Sequence, residues 1–199
     1  MEKHGLRERK KQRTRQALIE AAVRLFEDQG YDQVTVAEIA DAAEVSPRTF
    51  FLHFPAKEDV LLADADLRVD LALRAIAERD PAEPLAGVLV RAMDQMIAHA
   101  WDSDLPTGLA ALRARLAASV PALQARLLQR YLTAQADLAQ ALLRAFPGRL
   151  DAITASALVG AMVGAVGAAA LTALRRGDGP DEVRDAMRQA TALVARSVT

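Results

Sequence analysis

Arg48 and Thr49 are the residues best placed to act on a partner. They follow Ser46-Pro47 in the run SPRTFFLHF, which ends at Phe54. Ser is a good helix N-cap and Pro fits the first helical position, so Ser46, Pro47, Arg48 and Thr49 open a short helix. An arginine there can make a bidentate contact to guanine or a single charged contact to phosphate, and both readings stay open. Thr49 can meet a base edge or a thymine methyl group. Thr35 and Lys57 also open helices. Backbone amides and the helix dipole make such starts natural phosphate sites, and a lysine adds a point charge. Contacts of this kind fix register without reading sequence.

These residues need a scaffold, and the flanking sequence supplies one. Leu18, Ile19, Ala22, Val23 and Phe26 recur at helical spacing within residues 12–29, and Gly30 stops that helix. The pattern Thr35-Val-Ala-Glu38 is a capping box that opens a second helix with Ile39 and Ala40 facing inward. Glu44-Val45 forms a turn, Ser46 starts the third helix, and Pro55 ends it. Phe50 and Phe54 are expected to pack inside. Two short helices joined by a fixed turn can place one of them in the DNA major groove. A basic arm precedes the block. Residues 1–15 carry seven Lys/Arg, Arg13 among them, against two acids, a net of +5 that leaves −6 for the other 184 residues. Such an arm contacts a polyanion or is a solvated tail.

From Thr14 to Leu61 the chain resembles the N-terminal domain of the TetR (tetracycline repressor) family of transcriptional regulators. The matching segments are TRQALIEAAVRLFEDQGYD, VTVAEIADAAEVS and RTFFLHFPAKEDVL. The resemblance implies DNA contacts at Ser46, Pro47, Arg48 and Thr49, with Thr35, Lys57 and Arg13 positioning the backbone. It also implies an apolar contact by Phe51 and a phosphate contact by His53. Phe51 lacks the hydroxyl of the tyrosine many relatives carry, and Leu52 replaces a common aromatic. Glu44 stands where the family commonly has Gly in the turn. The expected fold class is all-α. A three-helix, homeodomain-like helix-turn-helix domain over residues 1–62 would precede a helical regulatory and dimerisation domain over 63–199, about nine helices in all.

The second part reads as helices over 57–79, 85–101, 107–118, 122–146, 150–176 and 181–197, interrupted by Pro and Gly clusters. Val183, Met187, Ala190 and Val194 form an apolar seam, while Gly160, Gly164, Gly167 and Ala168 let another helix approach closely. They are expected to form a two-fold four-helix contact between subunits, with an ordinary intrachain core as the alternative. Met93, Met96, Ile97, His99, Trp101, Leu112, Leu116, Leu127 and Tyr131 are candidates for a pocket holding a small, largely apolar effector. The resemblance implies such a pocket; a stripe of Met and aromatic residues can equally be plain core. An effector would shift the spacing of the two reading helices through the 57–79 helix.

Composition narrows the classes. The chain of 199 residues is 52% hydrophobic but only 4% aromatic, which favours packed helices over sheets. It has no cysteine, so disulfides, thiolate catalysis and cysteine zinc sites are excluded. Its three histidines stand in unrelated contexts, and no HExxH, GxSxG or phosphate-loop pattern occurs. No enzyme activity, metal or cofactor is expected. Residues 153–174 carry no charge and are long enough to cross a bilayer. They are mostly small residues, so a buried or interface helix is expected, in a cytoplasmic protein. The reading is a sequence-specific repressor that binds a palindromic operator as a homodimer. A non-specific or effector-independent DNA-binding protein is the alternative.

Overall fold

The computed structural model describes residues 2–104 and 107–198, and the side chains of 9–104 and 107–198. The first eight residues of the basic arm and residues 105 and 106 have side chains outside that set. Among the described residues there are nine α-helices, one 3-10 helix and no strand. They are α1 (Glu2–Gln29), α2 (Val36–Ala42), α3 (Pro47–His53), the 3-10 helix (Lys57–Leu62), α4 (Ala65–Ala77), α5 (Leu85–Ser103), α6 (Leu109–Leu116), α7 (Pro121–Ala145), α8 (Ala152–Arg176) and α9 (Pro180–Ala195). The chain forms two compact units, Met1–Ala63 with Thr107–Arg126, and Asp64–Pro106 with Leu127–Thr199.

The first unit packs three short elements against α1. Leu18, Ile19, Ala22, Val23 and Phe26 of α1 are buried, as are Ile39 and Ala40 of α2 and Phe50 and Phe54 of the α3 region. The expected helix 12–29 begins ten residues earlier, at Glu2. The arm contains no proline, and its many Arg, Lys, Glu and Gln are good helix formers that outweigh the single Gly5.

The helix expected over 57–79 is broken. Asp59, Val60, Leu61 and Leu62 are four consecutive buried residues. An amphipathic α-helix buries one stripe rather than every side, and a tight 3-10 turn takes its place here. Ala63 is extended at ψ 140, Asp64 is left-handed at φ 61, and α4 starts afresh at Ala65. Asp tolerates the left-handed region better than most residues.

The segment 107–126 groups with the first unit, whereas the sequence division places all of 63–199 together. Two arginines account for this. Arg113 donates to the Leu61 carbonyl at 3.1 Å, and Arg126 lies 3.3 Å from the buried Asp59 carboxylate. Asp59 also accepts from the Ala56 N–H at 3.0 Å, so one carboxylate caps the 3-10 helix and holds α7 to it.

The second unit is built on α4, α5, α8, α9 and the greater part of α7. Its core includes Ile76, Leu89, Ala92, Met93, Ile97, Leu138, Leu142, Phe146, Val159 and Met162. The Arg68–Asp104 ion pair at 2.8 Å joins the start of α4 to the end of α5. Arg79 donates to the Ala145 carbonyl at 2.8 Å and lies over the Phe146 ring.

Candidate nucleic-acid interface

The reading helix is held at both ends. The Thr35 hydroxyl accepts from the Glu38 N–H, and the Glu38 carboxylate accepts from the Thr35 N–H at 2.8 Å, which fixes the start of α2. After α2 the chain turns through Glu44 at φ 55. A non-glycine residue there costs about 1 kcal/mol, so the turn carries the strain that the departure from Gly predicts. Ser46 then caps α3 by accepting from the Thr49 N–H at 3.2 Å, and the two hydroxyls hydrogen-bond to each other at 2.9 Å. Beneath α3, Phe50 and Phe54 stack at 5.6 Å inside the unit, as the sequence leads one to expect.

With Phe50 buried, the opposite face of α3 is free. Pro47, Arg48, Phe51 and Leu52 are all exposed, and Arg48 lies one turn from Phe51 and Leu52. Arg48 has no partner within the described residues, and α3 carries no acid. The geometry leaves a guanidinium ready for a base or a phosphate, flanked by two apolar side chains. Phe51 is held edge-on against Phe50, with ring centroids 5.6 Å apart.

The residues expected to position DNA divide into two groups. Arg13 is exposed on α1, and His53 is half-buried at the end of α3. Burial first, and then the charges of Arg15 and Lys11, hold the His53 imidazole below its ordinary value of 6.5. Its Nδ1 is buried without a hydrogen-bond partner among the described residues. Arg15 organises this corner: it stacks 4.5 Å from the Phe54 ring centroid and donates to the His53 carbonyl. Sequence reasoning missed it, although its place one turn before the Leu18-Ile19 core pair was a usable signal.

Thr35 and Lys57 are different. The Glu38 carboxyl, held below its usual range chiefly by the Thr35 backbone N–H, already occupies the start of α2. A phosphate arriving at Thr35 would meet that negative charge. The Lys57 ammonium donates to the Tyr31 and Val34 carbonyls at 2.8 and 2.9 Å and lies 4.1 Å from the Tyr31 ring centroid. It closes the α1–α2 loop, a role that its place at a helix start did not suggest. Tyr31 in turn donates to Glu58 at 2.7 Å, and burial followed by that contact pushes its phenol far above the usual range.

The expected dimer seam lies partly against the subunit's own core. Val183 is 1% exposed, and Met187, Ala190 and Val194 pack against the second unit's own core. Gly160 and Gly164 face Gln135 and Tyr131 of α7 at ordinary van der Waals distances, whereas Gly167 meets open space. Ala168 is exposed. Within the single subunit the α9 seam covers part of that core, and Met187, Ala190 and Val194 stay half-buried. The outward face of α8 is another stripe, made of Ile153, Ala157, Ala161, Ala168 and Thr172. Of the most apolar part of α8, with mean hydropathy 2.0, only 22% is buried within the chain. By length and composition this helix could cross a membrane. The expectation of a buried helix holds only for the stripe Ala155, Val159, Met162, Val166 and Ala173.

The candidate pocket residues are divided between the two compact units. Met93 and Ile97 are plain core, and Met96 packs against it. Leu112 is fully buried in the first unit, where Leu116 also lies. Trp101 stacks under Arg184 at 3.9 Å, His99 has a buried Nε2 without a partner, and Leu127 and Tyr131 are half-buried on α7. A groove of about 580 Å³ does open in the second unit, but Ala86, Val90, Arg91, Asp94, Gln95 and Arg188 are among the residues that line it.

Residues 18–63 match the family model described as bacterial regulatory proteins, tetR family. The HTH-type transcriptional regulator TcmR of Streptomyces glaucescens is 39% identical over 129 residues, which is 63% of this chain and 57% of TcmR. The chain thus spans somewhat over half the length of that relative. The solved structure of the fatty acid degradation regulator FadR from Bacillus halodurans is similar, with a TM-score of 0.62 and 19% identity, covering 92% of this chain and 94% of that one. A TetR-family regulator from Mesorhizobium loti gives a TM-score of 0.59 at 20% identity, over 94% and 97% of the two chains. At such identities the likeness is one of fold.

Proposed function

We propose that the chain, whose residues 18–63 match the family model of tetR bacterial regulatory proteins, is a member of that family and a sequence-specific repressor that binds a palindromic operator as a homodimer. The observation that carries this reading is the outward face of α3, where an unpartnered Arg48 stands on a helix locked by two caps and two buried phenylalanines. Arg48 reads a guanine edge, and Ser46, Pro47 and Thr49 meet the adjoining groove wall. Phe51 makes an apolar contact. Arg13 and His53 contact phosphate. Lys57 and Thr35 act one step back, by fixing the loop and helix that carry α3.

The homodimer forms through the outward stripe of α8, Ile153, Ala157, Ala161 and Ala168, joined by the exposed Leu193 of α9. Small apolar residues at helical spacing, uncovered in the single subunit, suit a close two-fold helix contact. The protein works in the cytoplasm, and residues 63–199 supply its regulatory and dimerising functions. A small, largely apolar effector releases the operator. Its coupling to DNA is about 1–3 kcal/mol, the usual range for two linked sites.

Selection of random duplex DNA by the purified chain at near-physiological salt tests the reading. An enriched palindrome, with half-sites one helical turn or a multiple apart, is the expected result. Salt-sensitive binding without any enriched sequence would favour a non-specific DNA-binding protein instead.

A further inference from the structure

The role of Leu52 lies outside everything assigned so far. Its side chain is 74% exposed, more than that of its neighbour Phe51 at 54%, on a helix whose third large apolar side chain, Phe50, is fully buried. Leu52 is one helical turn beyond Arg48 on the same outward face. We infer that Leu52 is a base-reading residue that packs on the 5-methyl group of a thymine in the major groove, about two base pairs from the guanine read by Arg48. This inference rests on the operator reading above.

Three physical arguments lead there. First, an isobutyl group cannot hydrogen-bond to phosphate, so Leu52 gains from DNA only by apolar contact. In the major groove, the apolar group that distinguishes one base pair from another is the thymine methyl. Second, the surroundings match a polyanion better than an apolar protein surface. Arg48 shares the face, α3 carries no acid, and Lys10, Lys11 and Arg13 are exposed on α1. Third, the geometry is fixed in advance. Leu52 stands on a short helix whose buried Phe50 and Phe54 anchor it and whose Phe51 is braced edge-on against Phe50, so its backbone is held in place. Four residues of helix rise about 6 Å, close to two base steps of about 3.4 Å each.

A 5-methyl group also occurs on 5-methylcytosine, where it occupies the same place in the groove. The test separates the two sources. After selection of the preferred duplex by the full chain, each thymine is replaced singly by deoxyuridine. That change removes the methyl and keeps every hydrogen-bonding group. In parallel, each cytosine is replaced by 5-methylcytosine. Affinities are measured by fluorescence anisotropy for the wild type and for Leu52→Ala. That substitution removes an exposed side chain, and its melting temperature should match the wild type.

At one thymine per half-site, deoxyuridine should weaken wild-type binding about fourfold, the worth of one buried methyl-sized group. In Leu52→Ala the penalty at that position should vanish while those at other thymines persist. Identical deoxyuridine penalties in both proteins at every thymine would overturn the inference and leave the operator reading standing. Coupling of Leu52 to 5-methylcytosine alone would overturn the assignment to thymine. If selection enriches no sequence, the operator reading itself fails and this inference falls with it.

Discussion

The α2–α3 region and the α8–α9 region both present apolar residues at helical spacing, yet only in the first does the pattern point to a single arrangement. In α2–α3 each local signal has one solution. Thr35 with Glu38, and Ser46 with Pro47, set the helix starts. Pro55 sets the end, and burying Phe50 and Phe54 fixes which face of α3 looks out. In α9, the stripe Val183, Met187, Ala190 and Val194 would serve a core or a subunit interface equally well. Within one subunit it lies against the core, with Met187, Ala190 and Val194 still half-buried. A stripe states that a face wants to be covered; it does not state by what. A seven-residue helix with two caps has few alternatives, whereas a 25-residue helix such as α8 has two apolar faces to distribute.

Two core truncations sharpen this contrast. Phe50→Ala should cost about 3–5 kcal/mol of stability, the range for emptying a buried aromatic site. Met187→Ala should cost about 2 kcal/mol, the low end for methionine because its side chain stays half-buried. Thermal melting at several protein concentrations reads both. An intrachain core position loses the same stability at every concentration, while at an interface position the loss shrinks as the protein is diluted and the dimer dissociates. A concentration-dependent loss at Met187 would return the α9 seam to the dimer and undo the distinction between the two regions.

The same difference explains what was legible in the sequence. The all-α class, the Thr35–Glu38 capping box, the Ser46 cap and the burial of Phe50 and Phe54 follow from rules acting over three or four residues. The strained Glu44 turn was legible too, because a missing glycine leaves a mark. What escaped depended on distant partners. Lys57 looks like a phosphate ligand until the Tyr31 and Val34 carbonyls are found around it. The 57–79 helix looks continuous until Asp59 is seen buried against Arg126, 67 residues away. No local spacing announces that Arg113 reaches the Leu61 carbonyl. The pocket residues carry a similar ambiguity. Met93 and Leu112 are both apolar and both buried, but they belong to different compact units.

Within the first unit, the division between residues that read DNA and residues that hold the reader can itself be broken. Arg48→Ala should lose about 1–3 kcal/mol on the preferred operator and relax one base position. Uniform weakening on all sequences would move Arg48 from base to phosphate. Lys57→Ala should behave in the opposite way. It removes two charge-assisted bonds to carbonyls of the α1–α2 loop, so about 1–2 kcal/mol of stability should go, with the salt dependence of DNA binding unchanged. A salt slope shallower by about one unit would show that Lys57 neutralises a phosphate after all.

The smallest effect tests His53, which lies between those two groups. Its folded-state pKa is lowered, first by burial and then by Arg15 and Lys11. Below pH 6.5 the unfolded chain therefore holds more protons at this site than the folded chain, and the free fold loses stability as pH falls through that window. A phosphate beside the ring reverses the sign. The anion favours imidazolium, so the DNA complex holds more protons than the free protein, and affinity should rise as pH falls. The two slopes must oppose each other, with a change in affinity of less than about tenfold per pH unit, the limit for one proton. Anisotropy titrations between neutral pH and pH 5.5 (about one unit below the histidine's ordinary value), compared with His53→Gln, separate the cases. Loss of the slope in the variant marks a phosphate contact. The same slope in both proteins would make His53 a packing residue, one that holds the end of α3 rather than touching DNA.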